Sequence, residues 1–219
     1  MKSSKIKLIS NLKKFNINTN FIFSAFNLAF IAYYFLELIK PNSNFYLWCD
    51  GIVGKIYSKS IKIPGNKFIT FFFNYKFSKI IVMGNYSKKQ NFYLKKHFKT
   101  KVDFIKLPKI SNDNLKKFIP KIKKNSLILI TLPTPKQEIL ANEIRKNNKH
   151  FKILCIGGGL SIAAGEIKKC PDILQKIGME FLWRLNSDPL RRIKRLALTI
   201  FIYIININKI NKRIKIIKI

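Results

Sequence analysis

Short runs of apolar residues alternate along this chain with longer amphipathic segments, and this alternation restricts the fold more than any other feature of the sequence. The apolar runs have the length of β-strands and lie at 20–26, 45–49, 79–83, 102–105, 126–132 and 151–156. Segments such as 127–130 are continuously apolar, which is the pattern of a strand buried on both faces of a sheet. The sequence therefore predicts an α/β fold with a mostly parallel, Rossmann-like sheet and helices on both faces.

The chain carries a formal net charge of +33, from 43 lysines and arginines against 10 aspartates and glutamates. An excess of this size attracts polyanions: nucleic acid, an anionic lipid surface or the phosphates of a nucleotide. The chain is also rich in Lys, Ile, Asn and Phe together, as an AT-rich coding sequence would make it. The charge therefore indicates a class of partner without choosing among its members.

Three cysteines, Cys49, Cys155 and Cys170, stand alone, with no Cys-x-x-Cys pair among them. Together with only two histidines, they form neither a metal-ligand set nor a disulfide framework. Cys49 and Cys155 lie inside apolar runs, which favours small buried side chains in a reducing compartment. The basic segment 1–14 lacks the continuous apolar core of a secretion signal, so we expect a cytoplasmic protein.

Two apolar segments have to be distinguished from membrane spans. The first, 21–39, has the required length but contains Ser24, Asn27 and Glu37, which favours a strand followed by a core helix. The second, 196–205, is too short to cross a bilayer. We therefore expect no transmembrane segment in either place.

Polar and glycine residues follow the predicted strands directly, at Asp50, Gly84, 131–137 and 157–159. Ligands of parallel sheets bind at the carboxyl ends of the strands, so we expect these positions to lie together at one edge. Asp50 has Trp48 and Cys49 behind it, a partly apolar setting that can tune a carboxylate for proton abstraction. An ordinary turn aspartate has the same local pattern.

Six motifs, taken in order, resemble those of a single family. They are WCDG at 48–51, IPGN at 63–66, TPKQE at 134–138, GGG at 157–159 with Gly165, EFLWRL at 180–185 and DPLRRIKR at 188–195. Their order and spacing resemble the bacterial WecG/TagA/CpsF glycosyltransferases. Several motifs in the right order are far more specific than any one of them.

The resemblance implies an inverting glycosyltransferase of cell-surface polysaccharide biosynthesis. It would move a hexose or an N-acetylhexosamine, of the N-acetylmannosamine type, from a UDP-sugar to a polyprenyl-diphosphate-linked sugar. The resemblance implies no cofactor and no metal, and the sequence has no Asp-x-Asp pair to hold a divalent ion. The implied partners are the UDP-sugar donor, the lipid-linked acceptor and an anionic membrane surface, but no nucleic acid. The implied location is the inner face of the bacterial cell membrane, with peripheral attachment, and the oligomeric state stays open.

The resemblance also implies roles for single residues. Asp50 would accept a proton from the acceptor hydroxyl, and Gln137 would position substrate as a neutral hydrogen-bonding group. Ser24 or Asn27 would contribute a hydroxyl or an amide, and the glycine run would bring backbone amides close to phosphates. Complementing a helix dipole explains Glu138 equally well. The expected substrate-binding residues are Ser24, Asn27, Gly51, Pro135, Lys136, Glu138, Gly157, Gly158 and Gly159.

The family uses arginines near the C-terminus to hold the lipid-linked diphosphate, because guanidinium forks suit that group. The corresponding residues of this chain are Arg184, Arg191, Arg192 and Arg195. A solvated basic helix face is the alternative explanation. We divide the chain accordingly into an α/β glycosyltransferase domain at 1–178 and a helical, basic, membrane-associating appendage at 179–219.

Within this appendage, four isoleucines have helical spacing and lysine neighbours: Ile207, Ile210, Ile214 and Ile217. This pattern is typical of a helix that lies in a membrane interface. Packing of the stripe on the domain itself is one alternative, and a frayed tail from residue 213 onward is another.

Two positions depart from the family pattern. Thr134 lies in an LPTP segment where many members have glycine, and Ser161 stands where many have aspartate. The first change alters the nucleotide loop, and the second removes a carboxylate that could bind a ribose or sugar hydroxyl. We therefore expect an active enzyme whose donor sugar is its own.

Two other classes of function stay open. A non-catalytic, membrane-bound scaffold of envelope-sugar assembly would not need Asp50. A basic nucleic-acid-binding protein would use its lysines with some of the 19 Phe and 8 Tyr residues as stacking platforms. Most of these aromatic residues lie in the apolar runs, where core packing explains them. Binding of UDP would count against both alternatives.

Overall fold

The computed structural model describes residues 5–85, 87–107, 117–176, 180, 183 and 189–219. The strands in these ranges are β1 (Lys5–Leu8), β2 (Phe21–Phe26), β3 (Phe45–Cys49), β4 (Lys79–Gly84), β5 (Val102–Lys106), β6 (Ser126–Ile130), β7 (Lys152–Cys155) and β8 (Lys215–Lys218). They form one sheet with parallel neighbours throughout, in the order β5-β4-β6-β7-β2-β3-β1-β8. The predicted parallel sheet is confirmed, and each of the six predicted apolar runs contains a strand.

Helices connect most of the strands and cover both faces of the sheet. The α-helices are α1 (Leu28–Phe35), α2 (Gly51–Ser58), α3 (Gly65–Phe68), α4 (Lys88–Phe98), α5 (Lys136–Asn147), α6 (Gly159–Ala163), α7 (Asp172–Lys176) and α8 (Pro189–Arg213). Short 3-10 helices occupy Leu12–Lys14 and Ile69–Asn74. This arrangement is the predicted Rossmann-like α/β architecture.

The alternation of side chains along β2 explains why the core has two layers. Phe21 and Phe23 pack on one face of the sheet, in the cluster that includes residues of α3 and α4. Ile22 and Phe26 pack on the other face, with residues of α1 and α5. All four side chains are fully buried, and burial of each contributes roughly 1.5–3 kcal/mol. The well-packed central strands therefore hold the loops that follow them in defined positions.

The C-terminal segment packs on this fold and ends inside its sheet. Ile210 of α8 is fully buried in the same core cluster as α1, and the hydroxyl of Tyr203 lies 2.8 Å from that of Tyr57 on α2. Strand β8 pairs with β1, with Ile216 opposite Ile6. The predicted helical appendage is therefore present as α8, and it is followed by a strand that the sequence did not predict.

The predicted membrane stripe of isoleucines is wrong. Ile210 is buried, Ile214 packs against the core, and Ile217 lies in β8, so the four residues do not share one helix. The helical spacing arises because the inner face of α8 needs apolar residues at the same interval. Packing on the domain, one of the two alternatives, describes Ile210 and Ile214. The division of the chain at residue 178 stays a prediction.

The segment 21–39 forms β2 and α1, as predicted from its polar residues. Among the residues that the structure describes, no helix is both long enough and apolar enough to cross a membrane. Cys49, Cys155 and Cys170 are free and buried, as expected for structural thiols.

Candidate active site

The carboxyl ends of β2, β3, β6 and β7 lie side by side, and the loops that follow them surround two adjoining cavities. We call the smaller one, of about 150 Å³, the inner pocket; it is lined mainly by 132–134, Gln137 and 155–159. The larger one, of about 380 Å³, is the outer groove, lined by the first turns of α1 and α2 and by α8. Asn27, Asp50 and Arg195 line both cavities.

Asp50 stands at the boundary of the two cavities. It is the N-cap residue of α2, yet its side chain makes no capping hydrogen bond. Its backbone nitrogen donates to the Phe26 carbonyl oxygen at 3.2 Å, which holds it beside the end of β2. Gly51, which lines the outer groove, follows with φ of +72°, a left-handed conformation that favours glycine. Asp50 therefore lies where the two cavities meet.

The structure distinguishes between the two residues proposed near the end of β2. Asn27 lines both cavities, and its Oδ1 caps α1 by accepting from the Phe30 backbone nitrogen at 3.0 Å. Ser24 is fully buried, and its hydroxyl donates to Glu138 Oε1 at 2.6 Å. Of the two, Asn27 is therefore the residue that can contact a ligand, whereas the buried Ser24 hydrogen-bonds to Glu138 behind the site.

Gln137 lies at the inner pocket, but the protein itself uses most of its hydrogen-bonding capacity. Its Nε2 donates to Thr134 Oγ1 at 3.1 Å and to Glu138 Oε1 at 2.8 Å. Its Oε1 accepts from the backbone nitrogen of Gly157 at 3.0 Å. Gln137 is buried and ties the loop after β6 to the loop after β7, so it shapes the pocket wall.

Glu138 is fully buried in the first turn of α5 and does not decorate a solvated helix end. Its Oε1 accepts from Ser24, Thr134 and Gln137, while its buried Oε2 has no hydrogen-bond partner among the described residues. Burial raises the pKa of this carboxyl above its ordinary value, against the lowering effect of these hydrogen bonds. This carboxyl is therefore protonated more readily than an ordinary glutamate, and it adjoins the inner pocket through Thr134 and Gln137.

The glycine run has a different local role from the expected phosphate cradle. The backbone nitrogen of Gly157 donates to Ile130 O and to Gln137 Oε1, and that of Gly159 donates to Ile156 O. A Cβ on Gly159 would lie 3.1 Å from the carbonyl carbon of Gly65, so glycine permits this close packing. Of the predicted run, Gly158 is the residue whose amide these contacts leave unused. All three glycines line the inner pocket.

The predicted residues Pro135 and Lys136 begin α5 but do not belong to the lining of either cavity. Thr134, in contrast, lines the inner pocket and hydrogen-bonds through its hydroxyl to Glu138. The peptide bond between Thr134 and Pro135 is cis. The position that departs from the family pattern therefore lies in the pocket wall itself.

The structure describes the side chains of only some of the four predicted C-terminal arginines. Arg195 Nη2 donates to the Thr134 carbonyl oxygen at 3.1 Å and connects α8 to the inner pocket. Arg192 lines the outer groove. Arg191 lies in α8, but its side chain is outside the described part, and Arg184 is outside the described residues altogether. Two of the four predicted arginines are thus brought to the cavities.

Sequence reasoning missed a charged pair in the outer groove. Lys62 forms an ion pair with Glu180, and both residues line the groove. Lys62 also donates to the Gln175 carbonyl oxygen at 3.0 Å. Glu180 is the first residue of the EFLWRL motif, and Lys62 directly precedes IPGN, but nothing in the sequence indicates that the two side chains pair.

Ser161, the second departure from the family pattern, lies outside the lining of both cavities. Its hydroxyl accepts from Gln90 Nε2 at 3.0 Å, and the same nitrogen donates to Glu166 Oε2 at 2.8 Å. A carboxylate therefore remains close to this position, contributed by Glu166.

Cys155 lines the inner pocket as a neutral thiol. Burial, followed by the neighbouring Glu138, raises the pKa of Cys155 well above its ordinary value. A thiol of this kind is a poor nucleophile. Across the described residues, no cluster of three or more His, Cys, Asp or Glu side chains could hold a metal ion.

A comparison with protein families identifies one match. A sequence model described as the Glycosyl transferase WecG/TagA/CpsF family matches residues 78–215, which is more than half of the chain. The matched range includes Gln137, Glu138, the glycine run and α8. Asn27 and Asp50 precede it, so the structure, rather than this match, brings them to the same site.

Proposed function

Because this chain belongs to the WecG/TagA/CpsF family of glycosyltransferases, we propose that it transfers a hexose or an N-acetylhexosamine from a UDP-sugar to a polyprenyl-diphosphate-linked sugar. The observation that carries the proposal is that Asp50 stands where the inner pocket meets the outer groove. A transferase has to hold two substrates and place a base between them. The two cavities and the shared carboxylate meet that requirement.

The inner pocket suits the sugar of the donor. Its volume of about 150 Å³ corresponds to roughly five molecules of liquid water, which is room for a sugar ring but not for a whole nucleotide. Its wall offers neutral groups, from Asn27 and Gln137 to the Gly158 backbone. Neutral donors and acceptors bind hydroxyl groups without competing with a charged base.

The outer groove suits a lipid-linked diphosphate. Its walls include Leu28, Val53 and Leu196, and its polar lining includes the cations Arg192 and Arg195. Arginine forks bind phosphate oxygens in pairs, and apolar walls accommodate the first units of a hydrocarbon chain. The mixture of apolar and cationic groups matches the two chemical ends of such an acceptor.

In the reaction, Asp50 accepts the proton of the acceptor hydroxyl as the oxygen attacks the anomeric carbon. The bond between that carbon and the β-phosphate oxygen of UDP breaks, and UDP leaves as the anion. Attack from the face opposite UDP inverts the anomeric configuration. Arg195, which reaches both cavities, is placed to stabilise the charge that develops on the leaving diphosphate.

Attachment to the inner face of the cell membrane is part of the proposal, because the acceptor carries a polyprenyl chain. The alternatives of a non-catalytic scaffold and a nucleic-acid-binding protein have no specific contact in their favour. Most of the Phe and Tyr side chains are buried in the core or packed against it, as Phe21, Phe23 and Phe68 illustrate.

The test is acceptor-dependent release of UDP by the wild type and by Asp50→Asn, across a panel of UDP-sugars, with a synthetic polyprenyl-diphosphate-sugar present or absent. We expect release with one donor and a loss of at least about a hundredfold in Asp50→Asn. Asp103→Asn, in the edge strand β5 and paired with Lys79, is the matched control and should keep full activity. Release from no donor, with no binding of UDP, would instead favour the scaffold.

A further inference from the structure

Beside the outer groove, the surface around α2 combines exposed isoleucines with lysines. We call it the α2 surface; it is a wide, shallow groove of about 1170 Å³. Its apolar residues are Ile52, Ile56 and Ile61, and its lysines are Lys55, Lys59, Lys62 and Lys67. This composition differs from that of an ordinary solvated surface, where large apolar residues stand singly.

The isoleucines are directed outward by the way α2 packs. Val53 and Tyr57 contact the core cluster, whereas Ile52 and Ile56, one turn apart, occupy the opposite face. Ile56 is 66% exposed, and Ile61 in the loop after the helix is 85% exposed. Exposure of large apolar side chains to water is unfavourable, so a surface that keeps several of them together indicates a binding partner.

The charge of this surface indicates the kind of partner. The segment 51–64 contains no acidic residue, and neither does α8. Asp172, an acid in the lining of the α2 surface, is already paired with Lys169. Lys62 is paired with Glu180, but Lys55, Lys59 and Lys67 also flank the isoleucines. Isoleucines among several lysines match a surface whose apolar interior lies below a layer of negative charge, as in an anionic bilayer.

The α2 surface is also continuous with the outer groove. Ile52 and Lys62 line both of them. Helix α8, which contacts α2 through Tyr203 and Tyr57, adds the exposed residues Phe201 and Ile204 on its outer face. The mouth of the groove therefore opens between two apolar, basic surfaces.

We propose that the α2 surface is the face on which the protein rests on an anionic lipid bilayer, with Ile56 and Ile61 inserted among the headgroups. The membrane contact expected of the C-terminal isoleucines is thereby assigned to another part of the chain. The proposal rests on the proposed function in one respect, that the outer groove receives a lipid-linked acceptor. In this orientation the acceptor enters the groove without leaving the bilayer.

The test is flotation of the full-length chain with vesicles of phosphatidylcholine, with and without phosphatidylglycerol. We expect the double variants Ile56→Ser with Ile61→Ser, and Lys55→Glu with Lys59→Glu, each to lower binding to anionic vesicles by at least about tenfold. The matched controls lie on α4, where Lys88 and Lys89 surround Phe92, which is 72% exposed. Phe92→Ser, and Lys88→Glu with Lys89→Glu, should bind as the wild type does.

Two results would overturn the proposal: unchanged binding in the α2 variants, or an equal loss in the α4 variants, which would indicate attraction by total charge alone. Wild-type binding to vesicles without phosphatidylglycerol would exclude an anionic partner as the determinant. Transfer to a short-chain, water-soluble acceptor separates this proposal from the proposed function. The α2 variants should keep that activity. If the wild type has no transferase activity but its vesicle binding depends on Ile56 and Ile61, the membrane-binding surface is supported and the proposed function is not.

Discussion

The inner pocket and the outer groove share three residues but are built in opposite ways. Apart from the shared Asp50 and Arg195, the wall of the inner pocket consists of neutral groups, and Thr134 and Gln137 are joined to the buried Glu138 in one hydrogen-bond network. The outer groove joins apolar walls to the charged side chains of Lys62, Glu180 and Arg192. Internal hydrogen bonds hold the neutral wall of the first cavity, whereas charged side chains line the second, where Lys62 and Glu180 form an ion pair. Under the proposed function, this difference favours the first cavity for the sugar of the donor and the second for the lipid-linked diphosphate.

Removal of the Glu138 carboxyl should have the largest effect, because it disrupts the hydrogen-bond network beside the inner pocket. Glu138→Ala leaves the buried donors of Ser24, Thr134 and Gln137 without their common acceptor. Each buried group left unsatisfied costs about 1–3 kcal/mol, so we expect the free energy of unfolding to fall by about 3 kcal/mol or more in urea titrations. Glu138→Gln, which keeps the acceptor oxygen, should lose much less. Equal losses in the two variants would mean that packing, rather than the hydrogen bonds, holds this region.

Substitution of Arg192 distinguishes the roles of the two cavities through the KM values of the two substrates. Arg192→Ala should raise the KM for the lipid-linked acceptor by about tenfold to a hundredfold, because a hydrogen bond to a charged group contributes about 1.5–3 kcal/mol. The KM for the UDP-sugar should stay unchanged, since Arg192 lines the outer groove but not the inner pocket. Lys194→Ala, an exposed neighbour on α8, is the control. A rise in the donor KM alone would reverse the assignment of the cavities.

The pH dependence of stability tests whether Glu138 is uncharged. Burial raises the pKa of Glu138 in the folded state, so between the unfolded and folded pKa values the native state binds more protons than the unfolded state. Stability must then fall as pH rises through this window, starting above the ordinary glutamate pKa. We expect urea titrations from acidic to mildly basic pH to show this fall in the wild type, relative to Glu138→Gln. A constant difference between the two proteins over the whole range would contradict an uncharged carboxyl.

The contact between α2 and α8 should show the smallest effect. The Tyr57 hydroxyl donates to Asn211 Oδ1 at 2.8 Å and lies 2.8 Å from the Tyr203 hydroxyl. Tyr57→Phe should lower the free energy of unfolding by about 1 kcal/mol, measured by thermal or urea denaturation, while the KM of the donor stays the same. Tyr46→Phe, on β3, is a control remote from α8. A change in donor KM would show that α8 supports the inner pocket more strongly than its contacts indicate.

The sequence predicted the centre of this fold well and its edge poorly. Strands such as β6 and β7 are buried on both faces, and this burial leaves an apolar run that any reading of periodicity detects. Strands β1 and β8 lie at one edge, where Lys5, Lys7, Lys215 and Lys218 interrupt the pattern. Charged residues protect an edge strand against further pairing, and they also conceal it from a search for apolar runs.

The same distinction applies to the site. Asp50 could be predicted because it follows a strand directly and such strand ends lie together, whereas Asn27 could be expected only from the family resemblance, which left Ser24 as the alternative. The burial of Ser24 could not, because the face on which a strand residue lies depends on the layer of helices above it. The pair of Lys62 and Glu180 joins residues 118 positions apart, and no local pattern connects them.

We propose Asp50 as the base between two separately bound substrates, and calorimetric titration of Asp50→Asn with the UDP-sugar and, separately, with a soluble diphosphate-linked acceptor tests this role. We expect affinities for both substrates within about twofold of the wild type, in a protein that no longer transfers sugar. A tenfold loss of affinity for either substrate would show that Asp50 holds a ligand, and would contradict its role as the base between the two cavities.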